Sequence, residues 1–291
     1  MKIVIKFFKP FIEIFPEVAS RYRYIRDSRS LNLMPQKTAL GFKFIGNKVM
    51  ESGNFEVIET RFIRKFLENV DVVVNVGANI GYYTCIALSL KKYVIAVEPI
   101  ALNIQYLLKN ITANFWDSMV EVYQVAASNR TGAVAIYGGG TGASLLKGWS
   151  GSFIRKSELV PCNTLDNLLG DRFEEKICFF LIDVEGSELY ALEGAKEIIK
   201  RELKPIWFIE ITSFFHQGKN TVLNKNLLPT FDIFWKEGYV SWMVDSQPRL
   251  IEKEEIMEII ATGNNTLQAY NFIFFDANAY PDIPNTLVDP R

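Results

Sequence analysis

The sequence predicts an α/β protein with a Rossmann-like fold, in which a mostly parallel sheet of seven strands carries helices on both faces. Short runs of branched apolar residues alternate with amphipathic stretches from residue 71 onward. This alternation is typical of βαβ units, whose right-handed crossovers place strands side by side and parallel. Four of the runs end in polar or acidic residues. Because ligands bind beyond the carboxyl ends of such strands, we expect these residues to form a site.

The stretch around residues 71–98 has the pattern of the first half of a nucleotide-binding βαβ unit. The run Val72–Val76 is short and β-branched, as in a strand buried on both faces. A loop with Gly77 and Gly81 follows, then a helix-like segment, and then a second apolar run that ends at Glu98. Gly77 lets the chain turn sharply, and Gly81 lets the backbone approach a ligand or a neighbouring element closely.

The spacing of this loop distinguishes between nucleotide ligands. A dinucleotide fingerprint requires G-x-G-x-x-G, whereas this loop reads Gly77-x-Asn79-x-Gly81 with Tyr82 where the third glycine would fall. Glu98 lies where its carboxylate can accept hydrogen bonds from two ribose hydroxyls. S-adenosylmethionine, an adenosyl ligand without phosphates, therefore fits better than a dinucleotide. An ordinary tight turn followed by an unrelated acid is the alternative interpretation. The predicted cofactor-binding residues are Asn75, Gly77, Asn79, Gly81, Glu98 and, beyond the next strand, Ala126.

Composition limits the classes of partner. The chain has 291 residues, a net charge of −1 and no long basic run, so we expect no nucleic-acid partner. Its three cysteines are widely spaced and odd in number, which indicates a reducing, cytoplasmic compartment rather than a disulfide framework or a zinc site. The only histidine is His216, so a site with several histidines is excluded. The sequence does not indicate an oligomeric state.

We divide the chain into an N-terminal extension at 1–70, a ligand-binding domain at 71–276 and an irregular tail at 277–291. Residues 1–15 mix lysines with Ile, Val and Phe. They are interpreted as an element that packs on the domain, as a peripheral membrane-surface element or as a cleaved signal. Lys6, Lys9 and Pro10 interrupt the apolar core that a signal needs. No apolar run approaches the ~20 residues of a membrane-spanning helix.

The elements follow from apolar periodicity. The glycine-rich stretch at 138–144 is interpreted as a mobile loop near the site, with a surface linker as the alternative. Thr164 is a predicted helix N-cap. In chain order we predict a hairpin at 35–47, helices at 56–68, 81–90, 101–110, 164–169, 188–200, 227–237 and 252–260, and strands at 72–76, 94–97, 120–125, 131–137, 157–162, 178–182, 205–210, 239–244 and 270–275.

Two acids end neighbouring predicted strands and are candidate catalytic residues. Asp183 follows Cys178–Ile182, where a partly buried carboxylate needs a partner. Nearby Glu188 is also explained as a solvated acid in the first turn of a helix. Glu210 ends the next strand, and two close carboxylates repel, which raises a pKa or recruits a cation. The pair is therefore predicted to act either as a general base or as a Mg²⁺ site. We assign no metal ligands from the sequence.

His216 lies six residues beyond Glu210 and is the third catalytic candidate. A single histidine in a loop is usually structural or exposed. Its position after a strand end also suits a base that takes a hydroxyl proton, since an imidazole titrates near neutral pH.

These motifs in order resemble those of the FkbM methyltransferases. The resemblance covers about residues 71–212 and rests on Asn75-Val-Gly-Ala-Asn-Ile-Gly-Tyr-Tyr-Thr84, Val97-Glu-Pro99 with Asn103, Thr164-Leu-Asp166, Leu181-Ile-Asp-Val-Glu-Gly-Ser-Glu188 with Glu193-Gly-Ala195, and Ile209-Glu210. Two positions differ from the family pattern: Asn75 stands where relatives usually have Asp, and Ile182 where they often have Lys.

The resemblance implies a class I, S-adenosylmethionine-dependent methyltransferase that methylates a hydroxyl. Many relatives act on sugars or polyketides, so the expected acceptor is a glycan or a secondary metabolite. A nucleic-acid amino-methyltransferase would carry Asn/Asp-Pro-Pro-Tyr where this chain has Asp183-Val-Glu-Gly. A protein acceptor and a non-catalytic module that binds the cofactor or a glycan are the remaining alternatives.

Overall fold

The computed structural model describes residues 31–138, 143–146, 157–217 and 220–288, and for residues 216, 217 and 220 the backbone alone. Its strands are β1 (Gln36–Lys37), β2 (Lys43–Phe44), β3 (Val72–Val76), β4 (Tyr93–Val97), β5 (Val120–Tyr123), β6 (Ala126–Ala127), β7 (Gly132–Tyr137), β8 (Ser157–Asn163), β9 (Cys178–Ile182), β10 (Ile206–Glu210), β11 (Phe214–Gln217), β12 (Asn220–Leu223), β13 (Val240–Met243), β14 (Arg249–Ile251) and β15 (Asn271–Phe275). Its helices are α1 (Lys48–Glu51), α2 (Val57–Leu67), α3 (Tyr82–Ser89), α4 (Ala101–Thr112), α5 (Leu165–Leu169), α6 (Glu188–Glu193), α7 (Lys196–Ile199), α8 (Leu227–Lys236), α9 (Lys253–Thr262) and α10 (Ile283–Val288), with a 3₁₀ turn at Asp117–Met119.

The main sheet has the order β14-β13-β15-β10-β9-β3-β4-β5. The five strands from β10 to β5 run parallel. β15 is antiparallel to both β10 and β13. The prediction of a mostly parallel sheet with helices on both faces is confirmed. The strand count is different, because β14 adds an eighth, antiparallel edge strand to the described sheet. That strand has only three residues, too few to show an alternating pattern.

The sheet is central because its middle strands are apolar on both faces. Every residue of β3 and β9 is buried. On one face, Trp207 stacks on Phe180 with ring centroids 4.1 Å apart. On the other face, Phe66 of α2 stacks on Phe179. Two layers of helices therefore cover the sheet, and only the loops at the strand ends remain open to ligands.

The β1–β2 hairpin of the N-terminal extension packs on the face of the sheet that α2 also covers. Phe42 and Phe44 of the β1–β2 hairpin region are buried in the core. Asn110 on α4 holds the hairpin, since its Oδ1 accepts from Ile45 N at 2.8 Å. Its Nδ2 donates to the carbonyl of Ile80, in the glycine loop, at 3.0 Å. The extension is thus tied to the loop that follows β3.

A second, smaller sheet extends the fold beside the ends of β4 and β5. It has the order β6-β8-β7, with β6 parallel and β7 antiparallel to β8. The run predicted as one strand at 120–125 ends at Tyr123 in the main sheet. The chain then continues into β6 of the second sheet.

Two sequence predictions concern residues that lie wholly or partly outside the described ones, and a third prediction, on the tail, is wrong. The interpretations of residues 1–15 lie wholly outside, and the predicted loop at 138–144 includes four residues, 139–142, that lie outside. The tail was expected to be irregular, but it contains α10, in which Ile283 and Leu287 are buried. Pro284 suits the first turn of a helix, where its missing N–H removes no hydrogen bond. Among the described residues, no helix is long and apolar enough to cross a membrane.

Candidate active site

A cavity opens at the carboxyl ends of β3, β4 and β9, and its enclosed part has a volume of about 50 Å³. The strand order reverses there, since β4 and β5 lie on one side of β3 while β9 and β10 lie on the other. Such a switch point leaves a crevice between loops that diverge to opposite faces.

Gly77 forms the floor of this cavity and cannot carry a side chain. Its φ is +81°, and a Cβ there would lie 1.8 Å from the carbonyl oxygen of Asp183. The N–H groups of Gly77 and Ala78 both donate to the carbonyl of Val97, at 2.9 and 3.0 Å. The loop is therefore held against the ends of both neighbouring strands, β4 and β9.

Glu98 lines the cavity and is only 4% exposed. Its Oε2 accepts from the N–H of Asn79 at 2.8 Å, while Oε1 accepts from Ile100 N at 2.9 Å and Asn103 Nδ2 at 3.0 Å. Burial raises the pKa of Glu98, and these three donors oppose the rise. A carboxylate has roughly four lone-pair sites, so one remains for a ligand. The donors fix the orientation of Glu98 in the cavity wall.

Two of the predicted cofactor-binding residues do not line the cavity. Gly81 begins α3 with a φ of +91°, and a Cβ there would lie 2.5 Å from Leu107 Cδ1 on α4. Of the two roles expected for Gly81, the structure shows close approach to a neighbouring element. Asn75 is buried, and its Nδ2 donates to Thr84 Oγ1 at 2.9 Å. Its side chain is thus directed to α3 rather than into the cavity.

The other end of the cavity is an apolar slot. Ala126, predicted from its place beyond β5, lines it together with Ile100. Ile136 of β7 and Leu145 complete the slot. Sequence reasoning missed Ile136 and Leu145, because their position depends on how the second sheet packs against the first.

Ser144 ties the segment over this slot to the opposite wall. Its backbone pairs with Tyr137 through hydrogen bonds of 2.8 and 3.0 Å. Its Oγ donates to the carbonyl of Glu185 at 2.5 Å. Glu185 is held at a φ of +53° in the loop after β9. Ala143 and Leu145 therefore form part of the cavity wall, and the Ser144 between them holds the segment in place.

Asp183 lines the cavity just beyond the end of β9, and Glu210 lies next to it at the end of β10. Ile182 and Ile209 are paired in the parallel β9–β10 ladder, and each acid is the next residue along its strand direction. Asp183 is exposed to the cavity, so solvent partly screens its interactions. Desolvation by the surrounding chain, followed by the charge of Glu210, still raises the pKa of Asp183 above its usual range. Burial, followed by the charges of Glu185 and Glu188, raises the pKa of Glu210 to about 8.

Glu188 is an acid of the first helical turn, as predicted, but it is buried rather than solvated. Its Oε1 accepts from Gly186 N at 2.9 Å. Burial raises the pKa of Glu188 to about 7, and backbone hydrogen bonds limit the rise.

Sequence reasoning missed two acids that α2 brings to the same region. Glu56 precedes α2 and accepts from Tyr83 Oη at 2.6 Å. Glu59 Oε1 accepts from Asn271 Nδ2 at 3.3 Å, and Asn271 is the β15 partner of Glu210. Glu56 and Glu59 both contribute to the raised pKa of Glu210. Nothing local in the sequence around α2 indicates this placement, which depends on the packing of α2 over the strand ends.

His216 lies in β11, where its backbone pairs with Thr221 of β12. Its side chain lies outside the described atoms, so the role of His216 as a base stays a prediction. Within the described residues, no three or more His, Cys, Asp or Glu side chains are grouped as metal ligands.

The sheet order, the crevice at its switch point and the carboxylate of Glu98 define the class of protein: a class I methyltransferase with a Rossmann-like fold. The methyltransferase FkbM domain matches residues 75–241, more than half of the chain. The chain therefore belongs to the FkbM methyltransferase family, and the protein is a methyltransferase that uses S-adenosylmethionine.

Comparison with known proteins adds distant structural similarities. No curated protein matches the sequence. The chain is similar to the precorrin-6y C5,15-methyltransferase of Geobacter metallireducens, at 10% identity and a TM-score of 0.41 over 80% of this chain and 93% of that one. It is also similar to an rRNA methylase of Streptococcus thermophilus, at 14% identity and a TM-score of 0.39, over 75% of this chain and 92% of that one. A third similar structure is an O-methyltransferase of Thermotoga maritima, at 10% identity and a TM-score of 0.35, over 74% of this chain and 63% of that one.

The residues of the cavity fit S-adenosylmethionine. Glu98 offers a fixed carboxylate, and the slot around Ala126 is apolar, as an adenine ring requires. Ser187 also lines the cavity, and its fully buried hydroxyl has no hydrogen-bond partner in the part of the chain that the structure describes. A buried hydroxyl without a partner is unfavourable, so a polar ligand group is the expected complement. When bound, the cofactor supplies a methyl group on a positively charged sulfur.

Proposed function

We propose that this protein catalyses O-methylation of a small-molecule acceptor, namely a hydroxyl of a sugar, a glycan or a secondary metabolite. The observation that carries the proposal is the register of β9 and β10, which puts Glu210 next to Asp183, a residue of the cavity wall. An acceptor hydroxyl needs a base as its oxygen becomes bonded to carbon, and a carboxylate at this position supplies one.

The raised pKa values of both acids indicate how the pair works. Two close carboxylates do not both ionise readily, so the pair keeps one proton near neutral pH. The ionised member takes the hydroxyl proton, and the protonated member donates a hydrogen bond that orients the acceptor. The remainder of the catalytic effect comes from holding the acceptor oxygen in line with the methyl group.

In this proposal the cofactor is held by the loop from Gly77 to Asn79, by Glu98 at the ribose and by Ala126 beside the base. Gly81 and Asn75 act indirectly: Gly81 allows α3 and α4 to pack closely, and Asn75 fixes β3 to α3 through Thr84. His216 remains a candidate for a second proton acceptor.

We further propose a cytoplasmic location and no nucleic-acid partner. Cys85, Cys162 and Cys178 are all buried and unpaired, which suits a reducing compartment. The acids at the strand ends would repel a phosphate backbone. The domain limits at residues 70 and 276 and the membrane contact through residues 1–15 also stand as proposals.

Calorimetric titration with S-adenosylmethionine separates a cofactor-binding protein from one that does not bind it, and transfer of a labelled methyl group then separates an enzyme from a binding module. We expect Asp183→Asn and Glu210→Gln to lower transfer at least a hundredfold while cofactor binding changes little. Glu254→Gln, on the exposed face of α9, is the matched acid-to-amide control. Full turnover in both active-site variants would refute the proposed base.

A further inference from the structure

A second groove lies at the amino ends of β4 and β5, and we call it the amino-edge groove. It has a volume of about 600 Å³. Of the residues that line it, Lys91 precedes β4 and Met119 comes directly before β5. The cavity of the candidate active site opens at the carboxyl ends of the strands, so the two lie on opposite edges of the main sheet. A partner that fills the groove therefore leaves the cavity open.

The walls of the amino-edge groove are mostly apolar. Phe42 is buried, and its ring meets the ring of Trp116 edge-on with centroids 5.7 Å apart. Partly buried side chains that pack on the core form further walls: Leu40, Leu90, Trp116 and Met119. Apolar surface that remains open to water is unfavourable, and a contiguous patch of it marks an interaction site.

Phe115 extends this apolar surface outward. It lies in the chain between Asn114 and Trp116, which both line the groove. Among the large hydrophobic residues that the structure describes it is the most exposed, at 86%. Its φ is +60°, a left-handed conformation that a bulky residue rarely adopts. At this exposure little packing offsets the backbone strain. An exposed aromatic ring beside an apolar groove is typical of a surface that enters a lipid interface.

Four cations adjoin this apolar surface. Arg64 and Lys91 line the groove itself. Asn114 holds the backbone of Lys43 beside it through two hydrogen bonds, of 2.8 and 2.7 Å. Lys37 is the register partner of Lys43 in the β1–β2 hairpin. In the described part of the chain, none of these four side chains is within ion-pair distance of a carboxylate. The surface is therefore ready for an anionic partner.

Charge and apolarity together select the partner. Asp117, which follows Trp116, is an acid next to the groove, and its Oδ1 accepts from Thr112 Oγ1 at 3.0 Å. One acid against four cations leaves the surface positive. A second copy of this chain would bring the same cations to a symmetric contact and be repelled. A nucleic acid offers phosphates but little apolar surface. A membrane with anionic lipids offers both, because its phosphates lie above acyl chains.

The N-terminal segment meets the domain near this surface. Leu31, the first described residue, lies against α4, since Lys109 Nζ donates to its carbonyl. The same helix carries Asn110, which holds the hairpin. The residues that precede Leu31 in the sequence begin with a stretch rich in lysine and phenylalanine. This composition suits the same kind of partner.

We infer that the amino-edge groove, together with Phe115 and the four cations around it, binds the surface of a membrane that contains anionic lipids. Phe115 and the apolar walls enter the acyl boundary, and Arg64 and Lys91 bind headgroup phosphates. The binding surface belongs to the folded domain and thus goes beyond the contact through residues 1–15 proposed above. Since the cavity lies on the opposite edge of the sheet, soluble acceptors reach it while the protein is bound.

The test sediments the full chain with large unilamellar vesicles of phosphatidylcholine, either pure or with about 30% phosphatidylglycerol. Each lysine or arginine close to an anionic surface contributes about fivefold in affinity. We expect binding to the anionic vesicles to be at least tenfold tighter than to the neutral ones. The difference should shrink at high salt, because counterions screen the lipid phosphates.

Variants assign the binding to this surface. Phe115→Asn removes the ring, yet asparagine suits the left-handed backbone, so the fold should not be weakened. It should lower the affinity for anionic vesicles about tenfold, and Arg64→Gln combined with Lys91→Gln should lower it more than tenfold. Met257→Gln, on an exposed position of α9, and Lys225→Gln, before α8, are the matched controls and should change nothing. Thermal melts and titration with S-adenosylmethionine establish that each variant is folded.

Equal binding to neutral and anionic vesicles, or binding to neither, would overturn the inference. Binding that every variant retains would also overturn it, because residues 1–15 alone would then account for the contact. A duplex oligonucleotide that displaces the vesicles and loses affinity in the same variants would assign the surface to nucleic acid instead. Methyl transfer is measured without vesicles, so failure of the proposed function is seen separately.

Discussion

Asp183 and Glu210 end two neighbouring parallel strands, one residue beyond the backbone pair formed by Ile182 and Ile209. Parallel strands direct their carboxyl ends to the same edge of the sheet, so two acids in register there become neighbours. Burial raises the pKa of both carboxyls, assisted at Asp183 by the charge of Glu210 and at Glu210 by the charges of Glu185 and Glu188. The pair is therefore a proton acceptor that operates above the usual range of a carboxylic acid.

The pH dependence of catalysis should reflect this pair. The pair works with one carboxyl ionised and the other protonated, and burial raises the pKa of Glu210, the protonated member, to about 8. We therefore expect kcat/KM to fall as pH rises through about 8, where the pair loses its remaining proton. The Glu210→Gln variant should lose that limb, and Glu254→Gln should keep it. A profile that stays flat from pH 6 to pH 9 would contradict the assignment.

Glu188 should make the protein less stable at alkaline pH. Its folded-state pKa, about 7, lies above the ordinary value of 4.5, so the folded state binds more protons than the unfolded state between these values. The contribution is fully present below pH 4.5 and is lost as pH rises through about 7. It amounts to at most about 3 kcal/mol, at 1.4 kcal/mol per pKa unit.

Urea unfolding of the wild type and of Glu188→Gln from pH 5 to pH 8 measures this effect. The variant should be the more stable protein at pH 8, and the difference should shrink as pH falls. A constant difference across the range would show that the side chain acts through packing instead.

Substitution of Gly77 should affect both stability and cofactor binding. In Gly77→Ala the new Cβ would meet the carbonyl oxygen of Asp183 at 1.8 Å, so the loop or the β9 end must move. Gly263→Ala is the matched control, because Gly263 has a φ of +70° but open space around it. Backbone strain alone costs about 1–3 kcal/mol.

We expect Gly263→Ala to lower the unfolding free energy by that amount and to leave cofactor affinity unchanged. Gly77→Ala should cost more and should abolish measurable binding of S-adenosylmethionine. Equal effects of the two substitutions would mean that the contact with Asp183 adds nothing to the cost of backbone strain.

Removal of the Glu98 charge should weaken cofactor binding. Glu98→Gln keeps the shape but presents an NH₂ group to the donors of Asn79, Ile100 and Asn103, which turns the side chain away from its present orientation. A hydrogen bond to a charged group contributes about 1.5–3 kcal/mol. Calorimetry should therefore show an affinity loss of about ten- to a hundredfold. Unchanged affinity would place the ribose elsewhere.

Loss of the Ser144 anchor should speed cofactor release. In Ser144→Ala the hydrogen bond to the carbonyl of Glu185 is absent, and the segment that carries Leu145 is held less firmly over the adenine slot. We expect the dissociation rate of S-adenosylhomocysteine, measured by stopped-flow fluorescence, to rise several-fold while the association rate changes little. An unchanged dissociation rate would show that the slot does not depend on this contact.

Local patterns were enough to predict several residues that line the cavity. Gly77, Asn79 and Glu98 follow strands whose apolar runs are easily recognised, and the order of strands then brings them together. Gly81 shows the limit of such reasoning, because a loop glycine indicates a close approach but not its partner, which here is Leu107. Glu56 and Glu59 had no local signal, since their place depends on how α2 packs across the strand ends.

The sequence by itself determined the class of this protein: the alternation of apolar strands and helices, the glycine loop and the acids after the strands specify a methyltransferase fold and its cofactor end. These features are local, so a short stretch of chain contains all the information they need. Only the tertiary structure decided what surrounds the reacting end, because Glu59, Asp183 and Glu210 lie on separate elements and meet through strand register and helix packing. Their proximity, and hence the proton transfer we propose, is a property of that assembly.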